Sequence, residues 1–225
     1  MKKKIVSIIA LIMILLVSLA TLTGCGNNDN KKDDKNENSS SANEEKDTVS
    51  SISDNSIYYV KINGTKFKAG DKLSSISKVD LKQKEKDMET EIPKNRYLMD
   101  QAVIDSNEKE ICKFIPLNST DSKIKAKDAV IGGFEVGDYN YDRLSKETLS
   151  YDFEIVGGIK LGSSYEDIVK VFGEEDFKYE SEASTYTPAY TNYKYSSGYK
   201  GFEFTVDDSG KVSKIRWNNY NYDEE

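Results

Sequence analysis

The sequence predicts an α+β fold of two related units, each a β-hairpin and a short helix packed on an antiparallel sheet. Three observations lead there. Asn63-Gly64 separates two runs of alternating apolar residues, residues 163–173 read as a capped amphipathic helix, and a series of short strand-like runs follows that helix.

The first unit spans residues 57–149. It opens with Ile57-Tyr58-Tyr59-Val60-Lys61-Ile62, then Asn63-Gly64, then Thr65-Lys66-Phe67-Lys68. Asn-Gly between such runs marks a two-residue hairpin turn, because both turn positions need positive φ. A helix from Asp71 follows, with Leu73, Ile76 and Val79 as its apolar positions. The charged run Asp80–Glu91 reads as a solvated segment, and Ile111-Cys112-Lys113-Phe114-Ile115 as a strand.

The second unit, residues 150–225, repeats the plan. Tyr151–Val156, Gly157-Gly158 and Ile159-Lys160-Leu161 give a second hairpin. Ser163 as N-cap with Glu166 three residues on forms a capping box. Tyr165, Ile168, Val169 and Phe172 fall on one stripe, and Gly173 ends the helix in the left-handed region. Such a helix, about nine residues long, must pack on a sheet to persist. Strands are expected at Phe177–Glu182, Ala189–Ser196, Gly201–Val206 and Lys211–Trp217, with Asp207-Asp208-Ser209-Gly210 as the last turn. That turn lacks the later ligands a calcium loop needs. Aligning Phe67–Val79 with Ile159–Val171 matches Lys68 with Lys160, Gly70 with Gly162, Ile76 with Ile168, Lys78 with Lys170 and Val79 with Val171, as a diverged duplication would.

Gly158-Ile159-Lys160-Leu161-Gly162-Ser163-Ser164-Tyr165-Glu166-Asp167-Ile168, with Phe172-Gly173, resembles the repeat of the β-lactamase-inhibitory-protein-like superfamily. Small outer-membrane-assembly lipoproteins share that module. The resemblance covers residues 151–218 well and the first half loosely. It implies tandem helix-plus-sheet units, a concave sheet surface, protein binding and no catalysis. Glu175 stands where the family commonly has proline, and no family binding residue carries over to this chain.

The N-terminus carries an address. Lys2, Lys3 and Lys4 precede an uncharged apolar stretch from Ile5 to Leu22, long for a signal core and at the lower limit for a spanning helix. The residues that decide between these are Leu22-Thr23-Gly24-Cys25, which resemble a bacterial lipobox. That resemblance implies cleavage after Gly24, so that residues 1–24 are a signal peptide, and lipidation of Cys25. The chain is then expected on the extracytoplasmic face of the cell membrane, held by lipid. Residues 25–56 follow as a polar linker whose only large apolar side chains are Val49 and Ile52. Such composition predicts a disordered tether, with an end-to-end distance of roughly 30 Å.

Composition removes several function classes. Loss of the three signal lysines leaves 29 basic against 39 acidic residues, a net charge of −10, which disfavours nucleic acid as a partner. The chain has no histidine, so Ser-His-Asp and Cys-His catalysis and His-containing zinc sites are excluded. With Cys25 lipidated, Cys112 has no disulfide partner and reads as a small buried hydrophobe. Glu174-Glu175-Asp176 reads as a solvated helix exit. No cofactor, metal or catalytic residue is expected.

Eight of the fifteen tyrosines lie between Tyr179 and Tyr222. Phe202, Phe204 and Val206 share a strand face, and Tyr193, Tyr195, Ile215 and Trp217 are expected to join it as core. Tyr186 and Tyr190, in a loop around Pro188, together with Tyr199, Tyr220 and Tyr222, are the candidate contact residues, since tyrosine gives large contact area at low entropy cost. The expected partner is a protein or envelope component, bound through the sheet surface or loops. A carboxylate-based cell-wall glycan enzyme and a carbohydrate or small-ligand receptor are the rival readings.

Overall fold

The computed structural model describes residues 48–220. The signal segment, Cys25, the linker through residue 47, and Tyr222 lie outside them. Strands β1 (Tyr59–Ile62) and β2 (Thr65–Lys68) form the first hairpin, with Ile62 opposite Thr65. Asn63 and Gly64 take φ of 49° and 77° between them, the mirror-image turn that matches strand twist.

The chain then runs through β3 (Lys82–Gln83), α1 (Glu85–Met88), β4 (Glu91–Ile92), β5 (Gln101–Ile104), β6 (Glu110–Leu117), β7 (Ile124–Lys125) and β8 (Val130–Gly137). The second half supplies α2 (Lys146–Leu149), β9 (Phe153–Glu154), α3 (Tyr165–Phe172), β10 (Phe177–Ser181), β11 (Tyr190–Ser197), β12 (Lys200–Asp207) and β13 (Val212–Asn218). Eight strands make one antiparallel sheet in the order β10-β11-β12-β13-β8-β6-β5-β3. Each half thus contributes four strands, and the last strand of each half meets the other at the centre. The fold is α+β and mostly antiparallel, as expected.

Strand alternation builds the core. Tyr195, Phe202, Trp217, Phe134 and Phe114 stand opposite one another across five strands, and Tyr193, Phe204, Ile215 and Val136 across four. All nine are buried, so Tyr193, Tyr195, Ile215 and Trp217 are core as the pattern predicts. The hairpin and α3 cover this face. Phe172 lies 4.9 Å from Phe202 and 5.3 Å from Phe204, Tyr58 stacks on Phe202 at 4.9 Å, and Tyr165 stacks on Tyr193 at 4.2 Å. One continuous core cluster draws on both halves, so residue 150 does not separate independently packed bodies.

Both halves make the same clamp. Gly70 N–H donates to the Ile131 carbonyl and Ile131 N–H to that of Asp71; Gly162 N–H donates to the Val212 carbonyl and Val212 N–H to that of Ser163. Gly70 and Gly162 share a φ near the left-handed region, 89° and 87°. Two residues on, Lys72 bridges Val130, and Ser164 bridges Lys211.

Several expectations need correction. The first-half helix is a 3₁₀ helix, Leu73–Val79; its apolar spacing of three suits three residues per turn better than 3.6. Residues 80–91 are not wholly solvated, because Leu81 and Gln83 are buried where β3 closes the sheet. The second hairpin forms only in part. Strand β9 pairs with β1 and meets Lys160 through a single bridge, because Val156, Gly157 and Gly158 form a longer loop closed by Ile155 N–H on the Ile159 carbonyl. The N-cap of α3 is Ser164, with Asp167 completing the box, not Ser163 with Glu166. Gly173 ends the helix at φ 79° and ψ −156°, a positive-φ extended shape rather than the left-handed one.

The linker ends before residue 57. Val49 and Ile52 pack against the core, Val49 N–H donates to the Val171 carbonyl at 2.8 Å, and the Ile52 carbonyl accepts from Tyr58 Oη at 2.7 Å. The two apolar side chains in an otherwise polar linker are the two that dock.

Candidate binding face

The sheet face opposite the core carries an alternating row of charge. In register across β11, β12, β13, β8 and β6 stand Lys194, Glu203, Arg216, Glu135 and Lys113. Each charge therefore faces the opposite sign on the next strand, which favours this pairing over any slipped register. Glu135 is the hub. Its carboxylate lies 3.0 Å from Lys113 Nζ, 3.1 Å from Lys214 Nζ and 3.0 Å from Arg216 Nη1, and its side chain is only 5% exposed. Burial pushes its pKa up, but Lys214 and Lys113 outweigh that and hold it below the ordinary carboxylate range. Asp100 braces Arg216 from the far side at 3.4 Å.

Aromatic groups flank this row on either side, at the two ends of β11. At one end Tyr190 packs 4.8 Å from Tyr139 and 6.5 Å from Tyr179, and Lys214 Nζ sits 5.3 Å over the Tyr139 ring. At the other, Tyr199 tops the β11–β12 turn beside a hollow of about 170 Å³ lined also by Lys194, Glu203, Arg216, Asn218 and Tyr220. Seven residue steps along β11 separate the ends, roughly 23 Å.

The expected contact tyrosines fare differently. Tyr186 is 85% exposed, in the loop before β11, where its carbonyl accepts from Arg143 at 3.2 Å. Tyr199 is 51% exposed. Tyr190 is not a loop residue: it opens β11 and is half-buried. Tyr220 is not an exposed contact residue either, because it stacks on Tyr97 at 4.2 Å and is buried. The structure joins Tyr186 and Tyr190 at one end and puts Tyr199 at the other. It adds Tyr139, Tyr179 and the Glu135 hub, which were not anticipated. A lone Glu within Val130-Ile131-Gly132-Gly133-Phe134-Glu135-Val136-Gly137 was the available signal, since an acid inside an apolar strand must find cations.

Cys112 is buried and its thiol pKa is raised by that burial and by Glu110, the reverse of an activated nucleophile. Among the described residues no group of three potential metal ligands occurs. A hollow of about 430 Å³ lies under the 3₁₀ helix and is lined by Ile76, Leu81, Gln83, Met88 and Ile104. Glu85 and Glu108 also line it, and both are exposed. Among the described residues no helix is long and apolar enough to cross a membrane. Asp207 accepts from the backbone N–H groups of Tyr141, Ser209 and Lys211, so its loop is a hairpin turn with the carboxylate used internally.

Comparison with known proteins finds no matching family, no similar curated sequence and no similar solved structure.

Proposed function

We propose that the chain is a non-catalytic lipoprotein, anchored through Cys25 on the extracytoplasmic face of the membrane, that binds another protein through the open sheet face. The observation that carries this is the alternating row from Lys194 to Lys113, fixed by the Glu135 hub and flanked by exposed Tyr186 and Tyr199. A broad surface with rigid charges and aromatic ends suits a protein, whereas a small ligand needs a concave site that encloses most of its surface. Lipid on Cys25 would give attachment with nothing crossing the bilayer.

The two halves are read here as a duplicated unit of the β-lactamase-inhibitory-protein-like kind. Support comes from the four-plus-four strand order and from the matching clamps at Gly70 and Gly162. Under this reading the open face is the concave surface that the resemblance implies.

The test uses the full-length chain as bait from detergent-solubilised membranes. Lys194→Glu and Tyr186→Ala should each lower recovery of the captured partner about tenfold, while Lys78→Ala, on the covering layer, leaves it unchanged. Cys25→Ala should lose the palmitate label. Equal capture by all three surface variants would place the binding site elsewhere, and undiminished labelling of Cys25→Ala would remove the anchor.

A further inference from the structure

Strand β10 is one of the two outer strands of the eight-stranded sheet and, among the described residues, pairs with β11 alone. Its backbone polarity follows from the neighbouring turn. The two-residue turn Gly198-Tyr199 closes on the pair Ser197↔Lys200, which in such hairpins exchanges hydrogen bonds. The odd residues of β11 therefore face β12 and the even ones face β10. In agreement, Ser196 N–H and the Lys194 carbonyl both turn toward Asp176. The β11 partners Phe177, Tyr179 and Ser181 thus direct their backbone groups inward. Lys178 and Glu180 direct theirs outward, at the open edge.

An open edge usually carries devices against pairing, a lone lysine among them. This edge instead carries both signs, Lys178 and Glu180, placed symmetrically about Tyr179. It also exposes apolar surface: Phe177 is 60% and Tyr179 49% exposed, on the open face of the sheet.

We infer that β10 is the interface with a second copy of this chain, pairing antiparallel to itself with Tyr179 opposite Tyr179. In that register Lys178 of each copy faces Glu180 of the other, and each such pair exchanges two backbone hydrogen bonds through the groups that now point outward. The two Tyr179 rings meet across a non-hydrogen-bonded position, where cross-strand side chains approach most closely. Slipping the register by two residues sets Lys178 opposite Lys178 or Glu180 opposite Glu180, so the charges select the symmetric alignment. The pairing is self-complementary, as a two-fold interface requires. Because the axis runs normal to the sheet, both open faces point the same way. The inference does not rest on the binding reading above: the edge lies beside that face, and its test needs no partner.

Cysteine crosslinking of the detergent-solubilised full chain tests both association and register. Tyr179→Cys should give a disulfide-linked dimer on mild oxidation, because facing residues at a non-hydrogen-bonded position lie within disulfide reach. Lys178→Cys alone and Glu180→Cys alone should crosslink at least about tenfold less, and their mixture should crosslink to each other. The parent chain controls for Cys25 and Cys112. In sedimentation, Lys178→Glu should raise the dimer dissociation constant about tenfold, and the exchange Lys178→Glu with Glu180→Lys should restore it. A chain monomeric at concentrations approaching about 1 mM, or equal crosslinking at all three positions, would overturn the inference. Dimers indifferent to Lys178→Glu would overturn the register. A β10 edge whose amides gain protection from exchange only when another protein is added would assign it to a foreign strand instead.

Discussion

Glu135 shows how a single carboxylate can organise a surface. Three cations converge on it, so replacing it with glutamine leaves Lys113, Lys214 and Arg216 crowded, without the one carboxylate that all three contact. We expect Glu135→Gln to cost about 2–3 kcal/mol at neutral pH, below the range for fully buried pairs because Lys113 is partly exposed and screened. Its pH dependence follows from the depressed folded-state pKa. A carboxylate lowered on folding contributes stability above its unfolded value, 4.5, and loses it as pH falls through the folded value. The gap between parent and Glu135→Gln in thermal midpoint should therefore hold from pH 7 to about 5 and narrow below that. A gap that stays constant to pH 3 would mean the hub contributes packing rather than charge. At this scale the sequence was half legible. The Phe and Trp positions of the core followed from alternation. Tyr220 did not, because its burial depends on Tyr97, more than a hundred residues away, and no local pattern records that contact.

At the scale of elements, α3 was found in the right place with its cap displaced by one residue. Ser163 and Ser164 are adjacent, and each has an acid three residues later, so the sequence offers two capping boxes. The clamp decides between them. The Ser163 carbonyl accepts from Val212 N–H and its hydroxyl oxygen accepts from Lys160 N–H, which leaves Ser164 to start the helix. Ser164→Ala should cost about 0.5–2 kcal/mol, with a partly overlapping loss for Asp167→Ala because the two groups act as one box. Ile168→Ala should cost about 2–5 kcal/mol, since Ile168 is fully buried beneath the helix. Urea denaturation of the variants measures both. Neutral behaviour of Ile168→Ala would contradict the packing of α3 on the sheet. Val171 was missed because it lies off the predicted stripe; the Gly157 loop presses on it so closely that a Cβ at Gly157 would stand 2.4 Å from its methyl groups. The 3₁₀ helix was missed in type, although Leu73, Ile76 and Val79 keep a strict spacing of three, because three positions make a short pattern.

At the scale of the whole molecule, the expected pattern of hairpin, helix and strands pointed to antiparallel sheet but not to its strand order. Nothing local says that β8 and β13 pair at the centre, because that contact joins strands more than seventy residues apart. The beginning of the fold was misplaced for the opposite reason. Average polarity between residues 26 and 56 hid Val49 and Ile52, which sit near the end of the segment and dock. This makes truncation informative. Residues 26–47 contain no large apolar side chain, so removing them should leave the thermal midpoint within about 2 °C. Removing residues 26–56 should do more. It takes Val49 and Ile52 from the core, the Val49 N–H from Val171 and the Ile52 carbonyl from the buried hydroxyl of Tyr58. Two half-buried side chains and an orphaned hydroxyl amount to about 3–4 kcal/mol. In a domain of this size that corresponds to a fall of roughly 6–16 °C. Calorimetry on both truncations alongside the parent separates the outcomes. If the longer deletion matched the shorter one, residues 48–56 would be tether after all, and the folded unit would begin at the first hairpin.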